Sequence, residues 1–244
     1  MKNENKEPVL LYEDDDVVVI HKPAGLVVHL DGKTEEASLT EWLLKHYPSM
    51  KDVGEPERLS TGELILRPGI VHRLDRDTSG AIIAVKNSDA FSFFKKQFQD
   101  RTIVKKYHAL LYGEIKYVRG AIDRAIAKSR RDFRLWSAQR GARGAARDAI
   151  TKYHKLFANG GFSLVEAEPK TGRTHQLRVH FKAINYPIIN DPLYAPNRPL
   201  ALGLDRLGLH SYSIEFAMRN GGRMEIVAPY PMDFATAVAR LKSL

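Results

Sequence analysis

The sequence contains no cysteine, so neither a disulfide bond nor a metal site built on thiolates is possible. It contains no apolar run near 18 residues and no charged-then-apolar leader, and we therefore expect a cytoplasmic protein without membrane contact. Stretches rich in proline, glycine or serine, internal repeats and low-complexity tracts are also missing. Since no linker divides the 244 residues, we expect frayed residues 1–8 followed by a single domain over residues 9–244.

The common motifs for nucleotides, dinucleotides and metals are missing as well. Neither a Gly-x-Gly-x-x-Gly fingerprint nor a Gly-Lys-Ser/Thr loop occurs in the sequence. The histidines form no His-x₃-His pair, and His175 and His180 are five residues apart, which places them off a common helical face. We therefore expect neither an organic cofactor nor a metal.

Acidic residues are scarce relative to basic ones. The chain has 29 Asp and Glu against 38 Lys and Arg, which gives a formal net charge of +9 and a pI near 9.6. Such a surplus favours a polyanionic partner over a merely basic surface, but charge alone does not distinguish RNA from DNA or from anionic lipid.

The positive surplus is concentrated in residues 128–147. This segment has seven Lys and Arg and one acid, Asp132, so seven minus one gives +6. Phe133 and Trp136 lie among the basic residues, and glycines and alanines follow. Two interpretations remain open: a solvated, flexible loop, or an arm that contacts RNA phosphates and offers a ring for stacking. In the second interpretation, the phosphate contacts come from Arg140, Arg143 and Arg147.

Hydrophobic periodicity predicts many strands and few helices. Hairpin-like pairs of strands dominate, as at the Asn159-Gly160-Gly161 turn, and regular βαβ alternation is missing. The fold class is therefore α+β, a mixed, mostly antiparallel sheet with flanking helices. We expect a long loop over residues 49–68 and a helix that Ser88 caps. The predicted strands cover residues 9–12, 17–20, 81–85, 103–113, 149–157, 162–168, 209–216 and 224–227.

The stretch with the most chemical information is residues 69–80, which read GIVHRLDRDTSG. Two arginines and two aspartates alternate here, and the apolar residues 81–85 that follow indicate a buried strand. The charged residues thus lie on a loop that a rigid strand supports, where functional sites often occur. Taken alone, Asp75 would more often be a solvated or salt-bridged carboxylate.

A second polar stretch, residues 171–180, reads TGRTHQLRVH and leads into a helix. Leu177 and Phe181 lie on the apolar face of that helix, and Pro187 follows its end. The first turn of a helix has unpaired N–H groups, which suit an anion such as phosphate or carboxylate.

Together these stretches resemble the RluA-like family of RNA pseudouridine synthases. The family carries His-Arg-Leu-Asp followed, after two residues, by Thr-Ser-Gly, as in residues 72–80 here. Residues 105–109 match its Lys-x-Tyr-x-Ala pattern, residues 22–25 its Lys-Pro-x-Gly turn, and residues 171–180 its conserved arginine motif. The resemblance runs from about Val9 to the last helix, without the S4-like RNA-binding domain of some members.

The resemblance implies an isomerase that converts uridines of ribosomal or transfer RNA to pseudouridine, with no cofactor. In that family the catalytic aspartate corresponds to Asp75, which either attacks C1′ of the ribose or removes the C2′ proton. Tyr107 would pack on the target uracil, and Arg178 would hold Asp75 in its ionised form. The implied sheet is long and bent, and the site lies in a cleft across it.

The remaining site residues are predicted to bind RNA. The target base must leave its stack before a side chain can reach the sugar, and Arg73 would fill the gap it leaves. We assign Arg173, His175 and Gln176 of the second stretch to RNA contact as well. RNA is the only expected partner, with no obligatory protein partner, and we expect a monomer.

Two alternatives remain. A glycosidase-like hydrolase would also use a carboxylate at C1′, but most such enzymes need a second carboxylate, and nothing singles out Asp77 for that role. Such an enzyme would release free uracil, whereas an isomerase retains the base. A non-catalytic RNA-binding protein would explain the basic segment but not the presence of Asp75, Tyr107 and Arg178.

Overall fold

The structure is a computed structural model that describes residues 7–30, 36–58, 62, 64–65, 67–130, 132, 135–138 and 142–244. In chain order the elements are β1 (Val9–Glu13), β2 (Val17–Lys22), α1 (Leu39–His46), a 3₁₀ helix (Pro48–Asp52), β3 (Glu57–Arg58), β4 (Leu64–Ile65), β5 (Ser79–Val85), α2 (Ser88–Gln99), β6 (Val104–Tyr112), β7 (Arg119–Asp123), β8 (Ile126–Lys128), β9 (Trp136–Ser137), β10 (Arg143–Arg147), β11 (Ile150–Asn159), β12 (Phe162–Pro169), α3 (Gln176–Ala183), β13 (Leu209–Ala217), β14 (Arg223–Val227) and α4 (Met232–Ser243).

The chain folds into two compact units. The first comprises the described residues of Met1–Val104 with Ser211–Pro229, and the second comprises those of Lys105–His210 with Tyr230–Leu244. The single domain that the sequence predicts over residues 9–244 stays a prediction.

In the first unit the strands are hydrogen-bonded in the order β1, β2, β5, β13 and β14. Strands β2 and β5 pair antiparallel from Val17 opposite Val85 to Lys22 opposite Gly80. All seven residues of β5 are buried, as its continuous apolar run predicts. Helix α2 covers this core with Phe94, which packs in one cluster with β5 and β13. The loop that bears Asp75 leads directly into β5.

Two details of the first unit differ from the sequence predictions. The cap of α2 is Asn87 and not Ser88, because the Asn87 side chain accepts the Ala90 N–H at 2.9 Å. The region predicted as a loop over residues 49–68 contains the 3₁₀ helix and the short antiparallel pair β3 and β4. Proline at the first position of that 3₁₀ helix supplies the backbone angle that the turn needs.

In the second unit the order is β6, β12, β11 and β7, and each neighbouring pair is antiparallel. The predicted hairpin between β11 and β12 is confirmed, with positive φ at Gly160 (56°) and Gly161 (80°). Helix α4 packs Phe234 and Leu241 onto Leu110 and Leu164 of the sheet. The fold class predicted from the sequence, α+β with mostly antiparallel strands, is confirmed.

Parts of the basic segment form strands, namely residues 128, 136–137 and 143–147. Strands β10, β8 and β9 pair antiparallel in that order, and we call them the basic sheet. The interpretation as a flexible loop is therefore wrong for these residues. The physical reason is apolar packing, since Ile126, Leu135 and Trp136 share a cluster with Tyr194. None of the helices in the described ranges is long and apolar enough to span a membrane.

Candidate active site

Asp75 lies in the first unit on the loop before β5. Its side chain is half-buried, between buried Leu74 and exposed Arg76. Its carbonyl oxygen accepts the Thr78 N–H at 3.1 Å, which closes a tight turn around the residue. Asp75 therefore belongs to a turn whose backbone is hydrogen-bonded and whose preceding side chain, that of Leu74, is buried.

A buried lysine holds this turn from behind. Lys22 is fully buried, and its Nζ donates to the carbonyl oxygens of Pro23, Leu26 and Arg76 at 2.8, 2.7 and 2.9 Å. The Arg76 carbonyl also accepts the Gly25 N–H at 2.9 Å. A buried ammonium requires such a set of acceptors. The Lys-Pro-Ala-Gly turn thus fixes the backbone one residue after Asp75.

The exit from the turn is equally constrained. Gly80 has a φ of +111°, and a Cβ there would lie 2.1 Å from the Ser211 carbonyl oxygen, so only glycine fits. Thr78 and Ser79 are buried. On the entry side, Nε2 of His72 accepts the Ile83 N–H at 2.9 Å. Both ends of the loop are therefore bound to β5, which gives Asp75 a rigid support.

Arg73, which is predicted to fill the place of the flipped base, is exposed. Burial lowers the pKa of the nearby Arg67 to about 10, and the positive charge of Arg73 adds to this effect. Two neighbouring guanidinium groups repel each other, so this part of the first unit favours an anion such as a phosphate.

Tyr107 lies in the second unit on β6, where it pairs with Ala167 of β12. Its side chain is buried, with 9 % of its surface exposed. Lys105 lies two residues earlier, on the same side of the strand. Burial lowers the pKa of Lys105. The ring predicted to pack on the uracil therefore has an ammonium group on its own strand face.

Arg178 lies in the first turns of α3 and is buried. Its Nε and Nη2 donate to Oδ2 and Oδ1 of Asp191, both at 2.8 Å. The Tyr194 ring centroid is 5.1 Å from its guanidinium carbon. Asp191 is itself fixed, because its Oδ1 also accepts the N–H groups of Leu193 and Tyr194 at 2.9 and 3.0 Å. The guanidinium plane is thus set by the loop that follows α3.

The other residues of the second polar stretch support this arrangement. Gln176 uses its whole amide inside the protein: Oε1 accepts from the Thr171 hydroxyl and the Arg173 N–H, and Nε2 donates to β11. Its predicted RNA contact stays a prediction and would require breaking one of these bonds. Nε of Arg173 donates to the Asp148 carbonyl at 3.1 Å. His175 has a left-handed backbone, with φ of 54°, and its Nδ1 lies 2.9 Å from the Tyr194 hydroxyl.

Two of the three arginines predicted for the arm lie within the described residues. Arg140 lies outside the described residues. Arg143 and Arg147 are the ends of β10, and the Arg147 side chain is exposed. The RNA contacts of all three stay predictions.

The structure groups the predicted site residues by unit. Asp75 and Arg73 belong to the first unit, and Tyr107, Arg178 and the other described site residues belong to the second. The juxtaposition of Asp75 with Arg178 stays a prediction. The described residues include no group of three or more His, Cys, Asp or Glu that could hold a metal ion.

Sequence reasoning missed three residues that support the site: Lys22, Asp191 and Tyr194. Lys22 was visible only as part of a turn motif, and Asp191 only as the start of a loop. The one available signal was an acid and a tyrosine, Asp191 and Tyr194, spaced by three residues after the arginine helix, but nothing in that spacing names Arg178 as their partner.

Comparison with known proteins places the chain in a family. The family model described as RNA pseudouridylate synthase matches residues 16–183, which include the Asp75 loop and α3. The chain is 34% identical to an uncharacterized RNA pseudouridine synthase of Bacillus subtilis over 234 residues, 96% of this chain and 72% of that protein. It is also 34% identical to the ribosomal large subunit pseudouridine synthase D of Borreliella burgdorferi over 225 residues, 92% and 66% of the two chains.

A solved structure agrees with these sequence relatives. The human RNA pseudouridylate synthase domain containing 4 superimposes with a TM-score of 0.73 at 25% identity, covering 96% of this chain and 92% of the human chain. The family match covers well over half of the chain, and the rigid loop that carries Asp75 lies within it. The chain therefore belongs to the RNA pseudouridine synthases, a family of isomerases.

Proposed function

We propose that this chain converts specific uridines of ribosomal RNA to pseudouridine with Asp75 as its catalytic carboxylate. The observation that carries the proposal is the anchoring of the Asp75 turn, which Lys22 and Gly25 bind at the Arg76 carbonyl. A solvated surface aspartate needs no such support. The choice of ribosomal RNA rests on the printed name of the Borreliella burgdorferi relative, a ribosomal large subunit pseudouridine synthase.

The reaction breaks the C1′–N1 glycosidic bond, turns the uracil and joins C5 to C1′. Every atom of the nucleotide is retained, so the chemistry calls for no external reactant. An ionised Asp75 would either attack C1′ or remove the C2′ proton, and a rigid turn serves both routes by keeping the carboxylate in position. In either route the sugar must be reached from outside the base stack, which requires base flipping.

Two residues of the second unit are also proposed to take part in catalysis. Arg178, whose guanidinium is fixed by Asp191, would offer its positive charge to an anion. Tyr107 would pack against the uracil with the part of its ring that stays exposed, and the pairing of β6 with β12 fixes its position.

RNA capture would fall to exposed cations. Arg73 on the catalytic loop and Arg147 on the basic sheet are exposed, and the net charge of +9 favours an RNA partner. We further propose that the protein acts in the cytoplasm as a monomer without an obligatory protein partner.

The decisive experiment is a map of pseudouridines in total RNA from the parent organism and from a strain that lacks this gene. We expect sites in ribosomal RNA to disappear in the deletion strain and to return with the wild-type gene but not with Asp75→Asn. Loss of sites in transfer RNA alone would reassign the substrate. Release of free uracil by the purified protein would instead support a hydrolase.

A further inference from the structure

Tyr194 contacts both the basic sheet and helix α3, which carries Arg178. Its hydroxyl oxygen accepts the N–H of Trp136 in β9 at 3.1 Å. The same hydroxyl shares a hydrogen bond of 2.9 Å with Nδ1 of His175, the residue before α3. Its ring lies 5.1 Å from the guanidinium carbon of Arg178. One buried side chain therefore links three parts of the second unit.

The link to the basic sheet goes through its backbone. Trp136 pairs with Lys128 of β8, and Nζ of Lys128 lies 4.6 Å from the centroid of the Trp136 ring. Strand β8 in turn pairs with β10, which carries Arg147. The backbone N–H of Trp136 donates to the Tyr194 hydroxyl. The positions of Lys128 and Arg147, on the strands paired with β9 and β8, therefore depend on that hydroxyl.

The link from Tyr194 to helix α3 goes through His175. This residue has a left-handed backbone, with φ of 54°, which is costly in free energy for a residue other than glycine. The hydrogen bond to Tyr194 and an edge-on ring contact, with centroids 5.7 Å apart, stabilise that conformation. Since α3 begins at the next residue, the conformation of His175 sets the direction of the helix that carries Arg178.

We propose that Tyr194 is a positioning residue that couples the basic sheet to Arg178, so that RNA capture and the chemical step depend on the same hydroxyl group. The inference rests on the proposed function for the identity of the ligand as RNA. It differs from that function in assigning to a residue without substrate contact an effect on both steps. Neither a purely structural tyrosine nor an arm used only for capture would show this combination.

The chain offers a matched control. Tyr112 is buried in the same unit, and its hydroxyl donates to the Pro199 carbonyl at 2.6 Å and accepts the Asn190 N–H at 3.2 Å. An arginine, Arg198, also lies over its ring, at 5.6 Å. Tyr112→Phe therefore removes the same kind of hydrogen bonds as Tyr194→Phe, but none that involve the basic sheet or Arg178.

The first test compares the two variants in RNA affinity and in single-turnover pseudouridine formation at saturating ribosomal RNA. We expect Tyr194→Phe to lower the rate about tenfold and the affinity several-fold, the scale of one lost hydrogen bond in each step. Tyr112→Phe should change both by less than about twofold while lowering Tm similarly. Equal behaviour of the two variants would overturn the proposal, as would a Tyr194→Phe chain that does not fold.

A second test needs no activity. Hydrogen exchange of the amides of β9 and of the first turn of α3 should rise together in Tyr194→Phe and stay unchanged in Tyr112→Phe. A rise in only one of the two segments would refute the coupling. An inactive wild-type protein would refute the proposed function, but the exchange experiment would still decide the role of Tyr194.

Discussion

Arg178 and Asp191 face each other in a buried, two-pronged ion pair, with both N–O distances at 2.8 Å. The exposed fraction of the two side chains is 7% and 0%. The planar fork of the guanidinium matches the two carboxylate oxygens, and two backbone N–H groups hold the carboxylate in turn. The arginine of the family motif is therefore oriented by a loop aspartate that lies outside that motif.

This pair predicts different effects for its two members. Arg178→Lys keeps the charge but loses the fork, so we expect a large loss of rate. Asp191→Asn keeps the size but removes the charge that pairs with a buried guanidinium, which should lower the free energy of unfolding by about 3 kcal/mol. Urea unfolding measures the free energy of unfolding, and single-turnover kinetics measure the rate. An Arg178→Lys enzyme with the wild-type rate would show that the arginine is only a packing residue.

The assignment of Asp75 is tested by Asp75→Asn, which removes the charge and keeps the size. The turn around it rests on backbone hydrogen bonds and Lys22, so we expect a folded protein that binds RNA but forms no pseudouridine. Asp77→Asn is the matched control on the same loop and should retain activity. The assignment fails if Asp75→Asn turns over at the wild-type rate.

The Lys22 ammonium is predicted to matter through the loop and not through contact with RNA. Lys22→Met fills the same space but removes one donor from each of three carbonyl groups, of which that of Arg76 keeps the Gly25 N–H. We expect the free energy of unfolding to fall by about 3 kcal/mol and hydrogen exchange of residues 74–78 to rise. Exposed Lys96 provides the control, since Lys96→Met should change neither quantity. Unchanged exchange in Lys22→Met would contradict the anchoring role.

The basic sheet can be tested by the salt dependence of RNA binding. If Arg143 and Arg147 of this sheet contact phosphates together with Arg140, which lies outside the described residues, the triple variant Arg140→Ala, Arg143→Ala and Arg147→Ala should weaken RNA binding. It should also flatten the slope of log K against log salt by roughly one to two units, since each contact with single-stranded RNA adds about 0.7. The single-turnover rate at saturating RNA should survive. An unchanged slope would show that these arginines are solvated and make no phosphate contacts. A large loss of the single-turnover rate would mean that the sheet takes part in the chemical step.

Buried His108 predicts acid sensitivity of the second unit. Burial, assisted by the charge of Lys106, lowers the pKa of His108 from 6.5 to about 4. The effect of burial exceeds that of the Glu166 carboxylate, which lies 3.6 Å away and favours the charged form. Between these pKa values the unfolded chain binds more protons than the folded one, so stability falls as the pH drops from 6.5 towards 4.

His108 is expected to lower the free energy of unfolding by roughly 3 kcal/mol as the pH falls over that range. It can be measured as the free energy of unfolding in urea at a series of pH values. His108→Gln should reduce the slope, although buried His180, whose pKa burial also lowers, contributes a slope of the same sign. Exposed His46 is the control, and His46→Gln should leave the slope unchanged. A slope that is identical in His108→Gln would contradict the assignment.

Much of the fold follows from local patterns. The continuous apolar run of residues 81–85 and the Asn-Gly-Gly hairpin turn predict β5 and the pair β11 and β12, because burial and turn geometry act over a few neighbouring residues. Local patterns do not predict short strands that depend on distant partners, such as β8, β9 and β10. The basic segment has little strand pattern of its own, and it forms a sheet because Trp136 packs on Tyr194, 58 residues away.

The sequence by itself determined the family, the loop that carries Asp75 and the helix that carries Arg178, because these are contiguous strings that match the family pattern in residue type and spacing. Tertiary structure alone decided what holds them. Lys22 meets the Arg76 carbonyl across 54 residues, and Asp191 meets Arg178 across 13. Such partners are chosen by the burial of charge, since a desolvated ammonium or guanidinium must find its acceptors wherever the folded chain brings them. No local pattern in the sequence records that choice.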